Sequence, residues 1–250
     1  MLPGDASVYP QGPGMFPACG GCRLSKYKGR RAAAFIFDLD GTLIDSGRDI
    51  ARSANFARVH FGLPELPLAT ATGYVGDGVA KLLTRTLGHD VRTGQTGPQG
   101  LPVSEERHAE AMTVFADHYG RHLLDHTVLY PGVLETLLRF RRIPLHLATT
   151  KPRAFTAKIL AGLHLTDAFG RIVCGDETPA RKPDPAHLAA VLEGQEVDPS
   201  AVVVVGDSPN DVLAARAFGA MSVACTYGLV PAGLLKASRP DFTIASPVSY

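Results

Sequence analysis

Asp38 and Asp40 stand one residue apart in the stretch AAAFIFDLDGTLIDS, residues 32–46, at the end of an apolar run. Two carboxylates this close repel each other unless positive charge compensates them. Three more polar segments follow later apolar runs: ATTKP with Thr149, Thr150 and Lys151, ARKPDP with Lys182, and GDSPND from Gly206 through Asp211. Brought together, they would supply three or four carboxylates, two hydroxyls and two ammonium groups. A hard divalent cation such as Mg²⁺ takes oxygen ligands and keeps several waters, so it suits such a cluster. Carboxylates, a cation, a lysine and a hydroxyl suit a phosphoryl group, whose transfer depends mainly on positioning and charge neutralisation. One aspartate could be the nucleophile and form an aspartyl-phosphate. Any one of these signals alone is weak, because a DxD pair more often marks a turn. All four in order, each at the end of an apolar run, are not expected by chance.

The elements that must position these residues follow from the apolar pattern. Short apolar runs at 33–37, 145–148, 172–174, 202–205, 221–225 and 242–244 read as strands. Helical patterns at 153–162, 185–193, 209–218 and 231–237 lie between them. Continuous apolar strands separated by helices signify βαβ units, hence an α/β fold with a Rossmann-like, doubly wound parallel sheet covered on both faces. Ligands of such sheets bind beyond the carboxyl ends of the strands, where the polar segments fall. The interval between the first two strands is far longer than a crossover helix needs. Helical patterns at 48–61, 75–87 and 104–124 predict an all-helical insertion over 47–126, flanked by a catalytic core at 32–46 and 127–250. Residues 92–102 read as a Gly/Pro-rich loop inside it.

Composition sets the outer bounds. A chain of 250 residues with 45% hydrophobic residues can bury a sizeable core, and no stretch approaches a membrane span. Lys+Arg 25 against Asp+Glu 24 leaves +1, which gives no nucleic-acid or membrane-surface footprint. Residues 1–31 are rich in Gly and Pro without apolar periodicity, so a disordered leader is expected and a secretory signal is not. Cys19 and Cys22 have zinc-ligand spacing there, but no second pair follows and an incidental pair is favoured. Cys174 and Cys225 sit in apolar strands and read as buried structural thiols. A cytoplasmic enzyme acting on a small molecule, monomeric or homodimeric, is expected.

These segments make the chain resemble the haloacid dehalogenase superfamily, on DLDGT (38–42), Thr149, Lys182 and GDSPND (206–211). Within it the likeness is to the phosphoglycolate phosphatases, through DLDGTLIDS, YVGDGVAKLL, LYPGVLETL, ATTKP, RKPDP and GDSPNDVLAARAFG. The resemblance covers residues 33–250 and implies a Rossmann-like core with a helical cap after strand one. It implies a phosphatase in which Asp38 is the nucleophile and Asp40 the general acid and base. It further implies Mg²⁺ held by Asp38, the Asp40 carbonyl and Asp207, with Asp211 supporting, while Thr149 and Lys182 grip phosphoryl oxygens. Gly41, Thr42 and Thr150 would complete the phosphoryl site, although the family usually carries Asn where this chain has Thr150. From the cap, Gly76-Asp77-Gly78 would let a helix start approach an anion, and Arg85 could add positive charge. A small, doubly anionic substrate such as 2-phosphoglycolate fits, with a sugar or amino-sugar phosphate as the alternative.

Other chemistries of the superfamily fit less well. Dehalogenases lack the acid present here as Asp40, and a phosphoglucomutase of this cap type commonly lacks the aspartate present as Asp211. A phosphonate hydrolase would need a Schiff-base lysine in the cap, where Lys81 is the only lysine and reads as a surface charge. A metal-binding module is a different reading, resting on His118, His122 and His126 at helical i, i+4, i+8 spacing. Gly120 weakens that helix and no fourth ligand is evident, so a solvent-facing stripe is favoured over zinc.

Overall fold

The computed structural model describes residues 26–27, 30–76 and 78–249. Cys19, Cys22, Asp77 and most of the expected leader lie outside the described residues. The chain enters through β1 (Lys26–Tyr27) and β2 (Arg30–Arg31), an antiparallel pair, then β3 (Ala34–Phe37) and β4 (Ile44–Asp45). Helices α1 (Gly47–His60), α2 (Leu68–Thr72), α3 (Val79–Gly88) and α4 (Glu105–His122) follow, then β5 (Val128–Leu129) and α5 (Val133–Phe140). The alternation that remains is β6 (Leu145–Ala148), α6 (Arg153–Gly162), β7 (Arg171–Val173), α7 (Ala186–Val191), β8 (Val202–Gly206) and α8 (Pro209–Phe218). It ends with β9 (Met221–Cys225), α9 (Ala232–Ala237) and β10 (Phe242–Ile244).

Six strands form one sheet in the order β10-β9-β8-β3-β6-β7, and every pairing in it is parallel. The expected doubly wound sheet is therefore present. Side-chain alternation along a strand sends neighbouring residues to opposite faces, and each face has its own core. Phe35 and Phe37 of β3 join Val203, Val205, Leu145 and Leu147 in one cluster, while Ala34 and Ile36 join Val202, Val204 and Ala148 in the other. Both clusters need apolar residues, which is why β3 and β8 read as continuous apolar runs. β3 lies between β6 and β8, so Asp38, Thr149 and Asp207 leave three adjacent strand ends.

The helical insertion is fastened where the chain leaves and returns. β4 and β5 pair antiparallel, Ile44 with Leu129 and Asp45 with Val128. Asp49, buried in the first turn of α1, accepts hydrogen bonds from the backbone N–H groups of His126 and Thr127, both at 2.8 Å, and from Thr127 Oγ1 at 2.9 Å. Several elements differ from the sequence expectation: β1 and β2 pair at the end of the expected disordered leader, and β4 and β5 had no signal of their own. Helix α3 starts at Val79 rather than 75, because Gly76 and Gly78 have φ of 127° and 89°, outside helical space. Helices α2 and α5 were not anticipated. No helix among the described residues is long and apolar enough to cross a membrane.

Candidate active site

The end of β3 is held in register by its neighbour, with Asp38 N–H donating to the Val205 carbonyl at 2.9 Å. After Asp40 the chain must turn sharply, and Gly41 supplies a φ of 80°. A second reason for glycine is space: a Cβ on Gly41 would stand 2.0 Å from Asp207 Oδ2. The DLDGT turn and the aspartate of β8 are thus packed backbone against side chain. Asp211 is fixed by a capping box at the start of α8, where its Oδ2 accepts from Ser208 N–H at 3.0 Å and Ser208 Oγ at 2.6 Å. Its other oxygen accepts from Lys182.

Lys182 is the hub. Its ammonium donates to Asp38 Oδ1 at 2.6 Å, Asp211 Oδ1 at 2.6 Å and the Ala148 carbonyl at 2.8 Å. Three donors meet three acceptors, so each proton is used. Burial alone would lower the lysine pKa, but Asp211 and Asp38 overcome it and hold the group above its ordinary value, fully charged. One ammonium does not satisfy three carboxylates. Burial pushes Asp38 up to about 7 against the pull of Lys182, with Asp211 and Asp40 adding to the rise. Asp207 is also raised well above the carboxylate range, by burial and by Asp38 and Asp211.

The cluster is therefore short of positive charge, and its donor set fits a divalent cation. Ligand atoms of Asp38, Asp207 and Asp211 lie within 4.8 Å of one another. Asp211 has both oxygens engaged, whereas no described residue donates to Asp38 Oδ2 or Asp207 Oδ1. Asp207 Oδ1 is open to a hard cation, Asp38 can add the second lone pair of its Lys182-bound oxygen, and Asp211 acts through Lys182.

The other candidates are placed as follows. A cavity of about 100 Å³ is lined by Asp38, Asp40, Thr149, Thr150, Lys182 and Asp207 on the sheet side, and by Gly76, Gly78 and Tyr119 opposite. Thr149 is buried, and its Oγ1 accepts from Lys151 N–H at 3.2 Å. Gly41 and Thr42 do not line the cavity; the Thr42 hydroxyl is buried with no hydrogen-bond partner among the described residues. Arg85 is also away from it, its guanidinium reaching the Tyr74 carbonyl at 3.5 Å. The three histidines of the stripe have separate partners: His118 faces Ser53 at 3.0 Å, His122 faces Asp125 at 2.9 Å and His126 faces Asp49 at 2.8 Å. Among the described residues, only the aspartate cluster has metal-binding spacing.

Lys151 was visible in ATTKP but carried no assigned role. Its side chain is 5% exposed, 3.1 Å from Asp40 Oδ1, and it donates to the Tyr119 hydroxyl at 2.7 Å. Asp40 also accepts from Ser46 Oγ at 2.5 Å. Nothing in sequence distinguishes this lysine from a surface one, because its burial depends on Tyr119, thirty-two residues away on α4.

Comparison with known proteins shows the family. Residues 32–219 match the haloacid dehalogenase-like hydrolases. A phosphoglycolate phosphatase of Chromobacterium violaceum is 38% identical over 85% of this chain and 92% of its own length. Another from Nitrosospira multiformis is 39% identical over 78% of this chain and 83% of its own. The crystal structure of a predicted phosphoglycolate phosphatase from Haemophilus somnus superposes with a TM-score of 0.77 at 28% identity, covering 86% of this chain and 95% of that one. The chain belongs to the haloacid dehalogenase-like hydrolase family.

Proposed function

We propose that the chain is a Mg²⁺-dependent phosphatase that hydrolyses 2-phosphoglycolate to glycolate and phosphate through an aspartyl-phosphate on Asp38. The observation that carries this reading is the state of Asp38. One oxygen is fixed on Lys182 at 2.6 Å, the other has no donor among the described residues, and Asp38 lines the small cavity. An oriented carboxylate with one uncommitted oxygen is what an in-line attack on phosphorus requires.

In the first step Asp38 Oδ2 forms a bond to phosphorus as the bond to the ester oxygen breaks. Asp40 gives its proton to that leaving oxygen, releasing glycolate. In the second step a water attacks phosphorus, Asp40 takes its proton, and the bond to Asp38 breaks to free phosphate. Thr149 holds a phosphoryl oxygen during both steps, and Lys182, whose three N–H groups are taken by protein acceptors, contributes its positive charge beside it. Mg²⁺, held by Asp38, Asp207 and the Asp40 carbonyl, would supply the positive charge that keeps the carboxylates ionised and neutralises the phosphoryl oxygens.

The substrate assignment rests on the relatives named above and on the cavity wall. Ile50, Val75, Val79, Leu82, Phe115 and Phe155 form the apolar part of its lining, and its volume of about 100 Å³ suits a small substrate. Cys174 and Cys225 are buried and not joined in a disulfide, which accords with a reducing, cytoplasmic setting. The test is a panel of phosphomonoesters compared by kcat/KM. 2-Phosphoglycolate should lead; a hexose or amino-sugar phosphate leading by about tenfold, or ~1.4 kcal/mol, would overturn the substrate while leaving the phosphatase chemistry standing.

A further inference from the structure

Lys151 and Lys182 both line the cavity, but their protons are used differently. The Lys182 ammonium has three protein acceptors and no N–H left over. Lys151 has two, the Asp40 carboxylate and the Tyr119 hydroxyl, and no other acceptor among the described residues. Its third N–H is therefore without a partner among the described residues, in a site where the side chain is 5% exposed. A buried charge-assisted donor left unpaired is costly, so a ligand that supplies an anion there gains what the protein does not provide. Burial would lower the pKa of Lys151, but Asp40 and Tyr119 outweigh it, so the group carries its charge.

We infer that Lys151, with Tyr119, is the carboxylate-recognition site of the substrate. This inference rests on the reading of Asp40 as the general acid and of 2-phosphoglycolate as the substrate. The leaving oxygen must come within hydrogen-bond reach of Asp40 to receive its proton. In 2-phosphoglycolate one methylene separates that oxygen from the carboxylate carbon. An ammonium 3.1 Å from the same Asp40 carboxylate is thus placed to meet the far end of a substrate this short. Tyr119 adds a second donor, since its oxygen accepts from Lys151 while burial holds its own proton in place. It comes from α4, so the two donors belong one to the sheet side and one to the helical insertion. The apolar wall of Leu82, Phe115 and Phe155 around them removes competing water. Selection would then read both the charge and the length of the leaving group.

The test compares 2-phosphoglycolate with 2-phosphoglycolamide, which keeps the phosphate and nearly the same shape but carries a neutral carboxamide in place of the carboxylate, by kcat/KM. The wild type should prefer the acid by about 30-fold or more, the range for a lost hydrogen bond to a charged group. In Lys151→Met both substrates lose rate through Asp40, and the preference should fall to within about threefold. Tyr119→Phe, which keeps the ring packed between Phe115 and Phe155, should reduce the preference by about five- to tenfold. Should Lys151→Met fail to fold, the wild-type ratio and the Tyr119→Phe ratio still decide. A preference that survives in Lys151→Met, or one absent from the wild type while 2-phosphoglycolate is turned over well, overturns the carboxylate site alone. A wild type that ignores both compounds but hydrolyses other phosphomonoesters overturns the substrate reading and this inference with it.

Discussion

Asp38 and Asp40 share a strand end, yet their surroundings separate their roles. Asp38 is bound to Lys182 deep in the cluster, whereas Asp40 is bound to Ser46 and Lys151 beside the cavity. Replacing the nucleophile with an amide removes the attacking oxygen without changing its size. Asp38→Asn should lower kcat by more than about 10³-fold with native circular dichroism, since loss of a covalent nucleophile is costlier than loss of one contact. Asp40→Asn should cost ~10²–10⁴-fold, the range of general acid–base help. Residual activity in Asp38→Asn of more than a few per cent would mean that another group attacks phosphorus. At Cys174 burial pushes the thiol up to about 11, so it stays protonated at pH 8. Iodoacetamide should leave it unlabelled in the folded enzyme and label it in urea, as read by peptide mass spectrometry; labelling of the native protein would contradict the buried-thiol reading.

The elements show how far sequence carries. Strands with two buried faces are legible as short, β-branched and aromatic apolar runs, and their polar ends put Asp38, Thr149 and Asp207 at the strand ends where the structure has them. The β4–β5 pair was not legible, since two residues on each side carry no period and pair across the whole insertion. The start of α3 was misplaced because Leu82, Leu83 and Leu87 give the helical period, while Gly76 and Gly78 break it only through φ. Lys151 lacked a role for a similar reason: its site is made by a tertiary contact. Two element-scale outcomes follow. Gly41→Ala forces an L side chain into positive φ, a cost of roughly 1–2 kcal/mol, and drives its Cβ into Asp207. Its activity should fall far more than its stability, and equal losses in a melt and an assay would contradict that role of the turn. Asp49→Ala removes the acceptor for four hydrogen bonds that tie α1 to His126–Thr127. It should cost about 2 kcal/mol or more and lower Tm by roughly 4–8 °C; an unchanged melt would show that β4 and β5 hold the insertion alone.

At the scale of the whole molecule, the enzyme is a phosphomonoester hydrolase built by bringing four strand-end segments and one helical insertion to a single cavity. Its buried carboxylates make folding and cation binding interdependent. Asp38 and Asp207 have raised pKa values in the folded protein. Their contribution to stability is full below the unfolded carboxylate range and is lost as pH rises through about 7 for Asp38. A cation that binds the ionised cluster reverses this loss. The Tm increase on adding Mg²⁺ to chelator-treated enzyme should therefore grow from pH 5.5 to pH 8 and be absent in Asp207→Ala. A shift independent of pH, or one retained in Asp207→Ala, would place the cation elsewhere.

The central claim is a covalent bond between Asp38 and phosphorus, and it can be read at the residue itself. Enzyme turning over 2-phosphoglycolate is quenched in acid, reduced with borohydride and digested, so that an aspartyl-phosphate is converted to homoserine. Mass spectrometry should find homoserine at position 38 and nowhere else, and none when substrate is omitted. Homoserine at another aspartate, or unmodified Asp38 in enzyme quenched during steady turnover under conditions that reduce a reference acyl phosphate, would contradict the account.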